Sequence, residues 1–424
     1  MAKPSIAIIT ASYPYPPGEQ FLEAEAPYWP TADFGDVYIL PRNTEGTPRP
    51  LPQGITLDLA LRQPSKAIRI AYLVPALLSA VFFREIKSLV SANRFSVQRA
   101  LSALFETRNT LLGAAQIARF CKRNGAVDIA YCYWNDSMAY ACCLAKQRGL
   151  CRRVVSRAHG VDLYEERARG RYMPLKRQFL AYFDRIFVLS NEACNYFLSR
   201  YGASAAQLAI APLGVSIPRQ TCDVSPPGQL HVLSVSFCVP VKRMDRIIAA
   251  LAHLAATHPQ LSIHWTHIGD GPLCDEMRSA AARCLGPLAN VEFAFLGHQA
   301  NAAVRQLYEE HPVDVFVNTS ESEGVPVSIM EAMGYGVPAV APDVGGVSSL
   351  VVSGSGALIA PDACAQVIGD ALLSLRTNAD RMQFRARSKQ FIREHFNAAL
   401  NYPRVLAEIS AIASRDPSRA QTTE

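Results

Sequence analysis

Two glutamates eight residues apart, Glu323 and Glu331, stand in the segment Ser320-Glu-Ser-Glu-Gly-Val-Pro-Val-Ser-Ile-Met-Glu-Ala-Met-Gly-Tyr-Gly336. A strand is expected to end at about Asn318, followed by a glycine-containing loop and a helix with Pro326 in its first turn. A helix N-terminus offers unpaired N–H groups and a partial positive charge, which suits a phosphate. At 1.5 Å rise per residue the offset separates the two backbones by on the order of 10 Å. Carboxylates so spaced can grip opposite ends of an elongated ligand, one at sugar hydroxyls and the other at ribose hydroxyls. A glycosidase pair fits less well, because its carboxyls must converge on one bond at roughly 5–9 Å. Two glutamates alone would describe any helix start. The surrounding Ser-Glu-Gly-x-Pro and Glu-Ala-Met pattern gives the segment its specificity.

The elements that position this segment read as alternating strands and helices. In the first half, strands are expected at Ser5 to Ala11, Asp36 to Leu40, Asp128 to Cys132, Arg153 to Arg157 and Arg185 to Leu189. A Pro- and Gly-rich loop, Tyr13 to Gly18, follows the first strand, and a helix runs from Glu19 to about Tyr28. Residues 62–123 carry apolar positions at helical spacing and read as two or three helices. Residues 211–228 are rich in Pro, Gly, Ser and Thr and read as a linker. Alternation then restarts, with strands at Leu230 to Phe237, Leu261 to Ile268, Val291 to Leu296, Val313 to Asn318 and Ala339 to Pro342, and a helix at Met244 to Ala256. The reading is α/β, two Rossmann-like doubly wound domains facing a central cleft. Domain 1–212 carries the helical segment 62–123; a linker covers 213–228 and a second domain 229–388. A helix over 389–414 is expected to return to the first domain, with a disordered tail over 415–424.

At 424 residues two domains are expected. Half the residues are hydrophobic and mean hydropathy is +0.07, which excludes wholesale disorder. The 11 cysteines form no Cys-x-x-Cys pair and read as reduced thiols of a cytoplasmic protein. The N-terminal apolar stretch is too short for a signal peptide and reads as a buried strand. No stretch reaches the roughly 18 apolar residues of a membrane span. Charge is uneven: residues 1–218 hold 26 Lys/Arg against 16 Asp/Glu, the remainder 16 against 20. Residues 62–123 hold 11 basic side chains against Glu85 and Glu106 only. A run of this kind is ordinarily a solvated helix face. It also suits anionic lipid head groups or a pyrophosphate-bearing acceptor, and so peripheral contact with the inner membrane face. No nucleic-acid-binding motif accompanies it.

The donor-like segment resembles the E-x7-E signature of retaining glycosyltransferases of family four, which have the GT-B architecture. The resemblance extends through Pro338 to Gly346, Ile268-Gly-Asp-Gly-Pro-Leu273 and Phe295-Leu-Gly-His298. In the first half, Ser12 to Phe21 and Arg157-Ala-His-Gly-Val-Asp162 look like acceptor-domain motifs of bacterial exopolysaccharide and O-antigen assembly members. The resemblance implies that Glu323 meets the donor sugar and that the backbone of Gly324, Val325, Pro326 and Val327 meets sugar and phosphate. Glu331 would hold the ribose, and Gly18 would bring backbone close to the diphosphate. His159 would lie near the transferred sugar, and Lys242 would neutralise the leaving diphosphate. The family commonly has Arg-x4-Lys at this point; here the segment is Val235-Ser-Phe237-Cys-Val-Pro-Val-Lys242-Arg243, so Phe237 stands at the Arg position and Arg243 is the candidate replacement.

The function so implied is transfer of a hexose from a UDP or GDP sugar to an acceptor hydroxyl, with retention, on a glycan or lipid-linked oligosaccharide. No cofactor or metal is expected: no Asp-x-Asp occurs, and Lys242 with a helix dipole can do a divalent ion's work. Closure of the domains about 211–228 would exclude water. Asp270 reads as a turn residue, and His298 as a loop or base-pocket residue. His264 and His267, flanking Trp265, read as structural. The rival readings are a nucleotide-sugar epimerase or hydrolase and a non-catalytic sugar-nucleotide-binding subunit.

Overall fold

The computed structural model describes residues 3–16, 18–19, 21–377 and 381–414; the expected tail over 415–424 lies outside them. The chain divides into two units, one of residues up to Pro212 together with those from Tyr402 onward, the other Leu213–Asn401.

Seven described strands form the sheet of the first unit: β1 (Ile6–Thr10), β2 (Val37–Pro41), β3 (Ile55–Leu57), β4 (Val127–Cys132), β5 (Cys151–Ala158), β6 (Arg185–Val188) and β7 (Leu208–Ile210). All pairings are parallel, in the order β3-β2-β1-β4-β5-β6-β7. β1 reads Ile-Ala-Ile-Ile-Thr and is buried throughout, because a parallel sheet is covered on both faces. Its side chains alternate between two cores. Ala7 and Ile9 pack with Ala114, Ile117 and Phe120 of the Val97–Asn124 helix. Ile6 and Ile8 join Trp29 and, from the Ala398–Ser414 helix, Leu406 and Ile409.

The sheet of the second unit comprises β8 (Gln229–Val235), β9 (Ser262–Ile268), β10 (Val291–Phe295), β11 (Val315–Val317), β12 (Ala339–Pro342) and β13 (Gly356–Ile359). Its order is β10-β9-β8-β11-β12-β13, again parallel. Leu230 and Val232 of β8 bury against Ile247, Leu251 and Leu254 of the Met244–Thr257 helix. β8 and β11 are neighbours that leave in opposite directions along the order, so the loops after them open a crevice at their carboxyl ends.

The doubly wound reading therefore holds in both units. Three strands, β3, β7 and β13, escaped it; each is an edge strand of three or four residues, too short to show a period. The basic segment holds four helices rather than two or three: Lys66–Ala71, Leu73–Leu77, Ala80–Ser91 and Val97–Asn124. Ser65, Ser79 and Ser96 cap three of them, each hydroxyl accepting the N–H three residues on. The expected helix over 389–414 is instead two, Arg381–His395 and Ala398–Ser414. The break is where the Phe396 carbonyl accepts the Val215 N–H. The stretch read as a linker is bonded into the second unit: Arg385 donates to the Cys222 carbonyl and Lys389 to those of Arg219 and Gln220.

Candidate active site

In the second unit the loop after β8 ends in a turn, Pro240–Lys242, and the loop after β11 lies against it. The Thr319 hydroxyl donates to the carbonyls of Lys242 (3.1 Å) and Arg243 (2.8 Å), and the Glu321 N–H to that of Val241 (2.8 Å). This seam sets the Lys242 ammonium 2.6 Å from Glu323 Oε1, which also accepts the Asn318 amide at 3.0 Å. Glu323 is only 8 % exposed. Burial alone would raise its carboxyl; the Lys242 charge and the hydrogen bonds outweigh that and hold it below the usual carboxylate range.

Pro326 stands at the N-cap of the Val327–Gly334 helix rather than inside its first turn, and its carbonyl accepts the N–H groups of Ile329 and Met330. The preceding Gly324 carbonyl accepts the Gly346 N–H at 2.8 Å. A Cβ on Gly346 would fall 2.7 Å from that oxygen, so only glycine permits the approach. Gly324 and Val327 are half-buried, Val325 and Pro326 buried. Glu331, half-buried, lies on the helix close enough to Tyr308 to add to the burial that pushes that phenol up. Lys242, Glu323 and the helix start are thus brought together.

Arg243 is differently engaged. It adopts φ +47° and forks onto Asp245 (3.0 and 2.9 Å) and Glu321 (2.5 Å). Its charge is matched by two carboxylates, and Phe237, at the usual Arg position, is 52 % exposed. Asp270 closes a turn by accepting the Gly271 N–H, and His298 is exposed. His267 is fully buried between Ser234 (2.9 Å) and Cys238 (3.4 Å), while His264 pairs with Glu292 at 3.2 Å.

In the first unit, Gly18 sits where an added Cβ would fall 2.7 Å from the Ser12 hydroxyl. The next residue, which sequence reasoning passed over, does more. Glu19, at φ +56° and 7 % exposed, turns its carboxylate onto the loop after β1. There it accepts the N–H groups of Ala11 (2.9 Å), Ser12 (2.6 Å) and Tyr13 (2.6 Å) and the Trp134 indole N–H (2.5 Å). The Trp134 ring packs 4.5 Å from that of His159, with Tyr133 at 5.3 Å and Phe21 at 5.8 Å.

His159 is buried, and neither ring nitrogen meets a partner among the described residues. Burial, with the nearby Arg157 charge, drives its pKa down to about 3, so the imidazole is neutral at working pH. Its main-chain N–H is taken by Asp162 (2.6 Å). Asp162 also accepts the Asn135 N–H, and buried Lys176 donates to Asn135 and to the Asp162 carbonyl. Beneath lies a fully buried ion pair, Arg157–Glu25 at 2.9 Å, with the Tyr133 hydroxyl donating to the same carboxylate. Glu25 lies 132 positions from Arg157 and 108 from Tyr133, and no local spacing announces these partners.

A pair of doubly wound parallel sheets, one carrying a Lys–Glu pair at a helix start, is the frame of a GT-B glycosyltransferase. The chain belongs to the glycosyltransferases: residues 229–378 match the family model described as Glycosyl transferases group 1, and residues 55–219 that of Glycosyltransferase Family 4. It is 24 % identical over 333 residues to the putative colanic acid biosynthesis glycosyltransferase WcaL of Salmonella typhimurium, covering 76 % of this chain and 80 % of the relative. It is also 24 % identical over 297 residues to the amylovoran biosynthesis glycosyltransferase AmsK of Erwinia amylovora, covering 68 % and 71 %. Its fold is similar to that of the apo lipopolysaccharide outer core galactosyltransferase WaaB, with a TM-score of 0.67 at 16 % identity over 97 % of this chain and 100 % of the other. The Anabaena protein HepE, solved in complex with UDP-glucose, gives a TM-score of 0.63 at 17 % identity over 96 % and 99 %.

Proposed function

We propose that the protein transfers a hexose from a nucleoside diphosphate sugar to a hydroxyl of a glycan acceptor, with retention at the anomeric carbon, in the synthesis of a bacterial surface polysaccharide. The observation that carries this reading is the partly buried Lys242–Glu323 pair at the start of the Val327–Gly334 helix. In it Glu323 takes the sugar hydroxyls and Glu331 the ribose. The Lys242 ammonium and the helix N-terminus stabilise charge that develops on the departing diphosphate, in place already before the bond breaks. The leaving phosphate oxygen accepts the acceptor's proton on the same face of the sugar, and the protein's part is orientation and charge stabilisation. With Lys242 in that position no divalent ion is required. The relatives named for colanic acid and amylovoran biosynthesis support a glycan acceptor, and the HepE complex with UDP-glucose supports a nucleotide-sugar donor.

We further read the acceptor as lipid-linked and presented at the cytoplasmic membrane face. Among the described residues no single helix is long and apolar enough to cross a membrane. The basic segment nevertheless exposes Ile70, Val74, Leu78, Phe83, Val90 and Val97, each at least 58 % accessible, among basic side chains such as Lys66, Arg84 and Lys87. Apolar groups flanked by cations suit an anionic bilayer surface. The test is incubation with radiolabelled UDP and GDP hexoses, with and without membranes holding lipid-linked glycans. Label entering lipid only when membranes are added supports the reading. Rapid donor hydrolysis without acceptor, or epimerised donor, supports a hydrolase or epimerase instead.

A further inference from the structure

Tyr308 lies on the Asn301–Glu310 helix of the second unit and is 1 % exposed. Its hydroxyl meets no hydrogen-bond partner among the described residues. A buried hydroxyl gives up its bonds to water, and leaving it unpaired costs stability that phenylalanine, with the same ring, would not. Packing alone therefore does not account for a tyrosine here. A buried polar atom of this kind points to a partner that arrives with a ligand.

The surroundings of the ring say which ligand. It stacks on Tyr335, with centroids 4.9 Å apart and planes 16° from parallel. Tyr335 is itself fixed: its hydroxyl donates to Glu309 at 2.7 Å and its N–H to the Glu331 carbonyl at 3.2 Å. Its carbonyl accepts the Cys222 N–H at 2.9 Å. Glu331 precedes Tyr335 by four residues at the end of the Val327–Gly334 helix, so the two side chains leave from one face. The ring stacked on Tyr335 therefore lies along the face that carries Glu331. The electrostatics agree: after burial itself, the Glu331 charge is the largest influence raising the Tyr308 phenol. Cys222, the next group acting on it, is turned to the His311 carbonyl at 3.3 Å. Glu331 is thus the neighbouring acceptor for the phenol. An ionised carboxylate accepts at both oxygens, with about four lone-pair sites, so it can take one phenol O–H and the two hydroxyls of a diol together. A hydrogen bond to an ionised group is of the stronger kind and holds the carboxylate in one orientation.

We propose that Tyr308 is a positioning residue for the donor: on donor binding its hydroxyl donates to the Glu331 carboxylate and orients it to accept the two ribose hydroxyls. The proposal rests on the reading of Glu331 as the ribose partner of a nucleoside diphosphate sugar. It is tested on the full chain by titration calorimetry with UDP, GDP and their 2′-deoxy counterparts, on wild type, Tyr308→Phe, Glu331→Gln and the double variant. Wild type should bind one ribonucleotide about tenfold or more tighter than its deoxy counterpart, the scale of one hydrogen bond to a charged group. Tyr308→Phe should lose most of that preference by weakening the ribonucleotide, while the deoxynucleotide stays within about twofold. A role in packing alone would weaken both alike. In the Glu331→Gln background the same substitution should change neither. Because the removed oxygen meets no partner among the described residues, Tyr308→Phe should melt at or above the wild-type temperature. An unchanged ribose preference in Tyr308→Phe, equal weakening of both nucleotides or a further loss in the Glu331→Gln background would each overturn the proposal and leave the donor reading standing. So would loss of the fold, or a melting temperature several degrees lower, in Tyr308→Phe. Wild-type binding with no ribose preference defeats the role of Glu331 and this proposal with it. Absence of any UDP or GDP binding defeats the donor reading itself.

Discussion

The Lys242 ammonium lies 2.6 Å from the Glu323 carboxylate, in a contact that joins the loop after β8 to the loop after β11. Each charge is the other's main compensation in a site where Glu323 is 8 % exposed. Glu323→Ala and Lys242→Ala should therefore each lower turnover by on the order of 10²–10³-fold, the range seen when one charge-stabilising group is removed. Circular dichroism should show the fold retained. The double variant should lose far less than the product of the two, because the residues act as a unit. Steady-state release of nucleoside diphosphate measures this; two independent, multiplicative losses would mean the pair is not one device.

Arg243 makes the opposite case. Its guanidinium is forked onto Asp245 and Glu321 at an exposed position, where such pairs contribute about 0–1 kcal/mol. Arg243→Ala should leave turnover within about threefold of wild type and barely move the melting temperature. A loss near that of Lys242→Ala would restore Arg243 as the second cation on the leaving group.

The Arg157–Glu25 pair is fully buried in the first unit. Removing one partner strands the other charge, so Arg157→Met should destabilise the protein by about 3–5 kcal/mol in urea denaturation. Replacing both, Arg157→Met with Glu25→Met, should recover much of that loss. A double variant as unstable as the single one would locate the cost in packing rather than charge.

His159 predicts a pH dependence. Its folded pKa is about 3, depressed by burial and Arg157, against about 6.5 in the unfolded chain. Between these values the unfolded state binds the extra proton, so stability present above pH 6.5 is lost as pH falls toward 3. His267, lowered to about 4 by burial, acts in the same direction. At pH 5.5 each histidine should remove roughly 1.4 kcal/mol relative to neutral pH. His159→Phe should flatten its share of that slope; an unchanged slope would mean the imidazole is not held neutral.

What could be read from sequence followed the range of the interactions. The buried runs of β1 and β4 announce themselves because a parallel strand covered on both faces is almost continuously apolar. The Glu323 to Glu331 segment is legible because its loop, proline and helix are consecutive. Edge strands β3 and β7 were not, since three residues carry no period. Nor were Glu19, which meets Trp134 across 115 positions, or Lys176, which meets Asn135 across 41. Both are single polar residues whose roles arise only when the sheet order brings the loops together. Arg243 shows the converse: adjacency to Lys242 suggested a shared charge, and the left-handed turn at Arg243 directs it to Asp245 and Glu321.

The central claim is that the Lys242–Glu323 site binds a nucleoside diphosphate sugar, and ligand-induced stabilisation tests it most directly. Wild-type protein and Glu323→Gln are melted with a panel of UDP and GDP hexoses and with the free nucleosides. A donor at about 100 times its Kd adds about 2.7 kcal/mol of stability, enough to move the melting temperature by several degrees. The account predicts such a shift for wild type with at least one nucleotide sugar, and a much smaller one for Glu323→Gln. No shift with any donor, or equal shifts in both proteins, would contradict it.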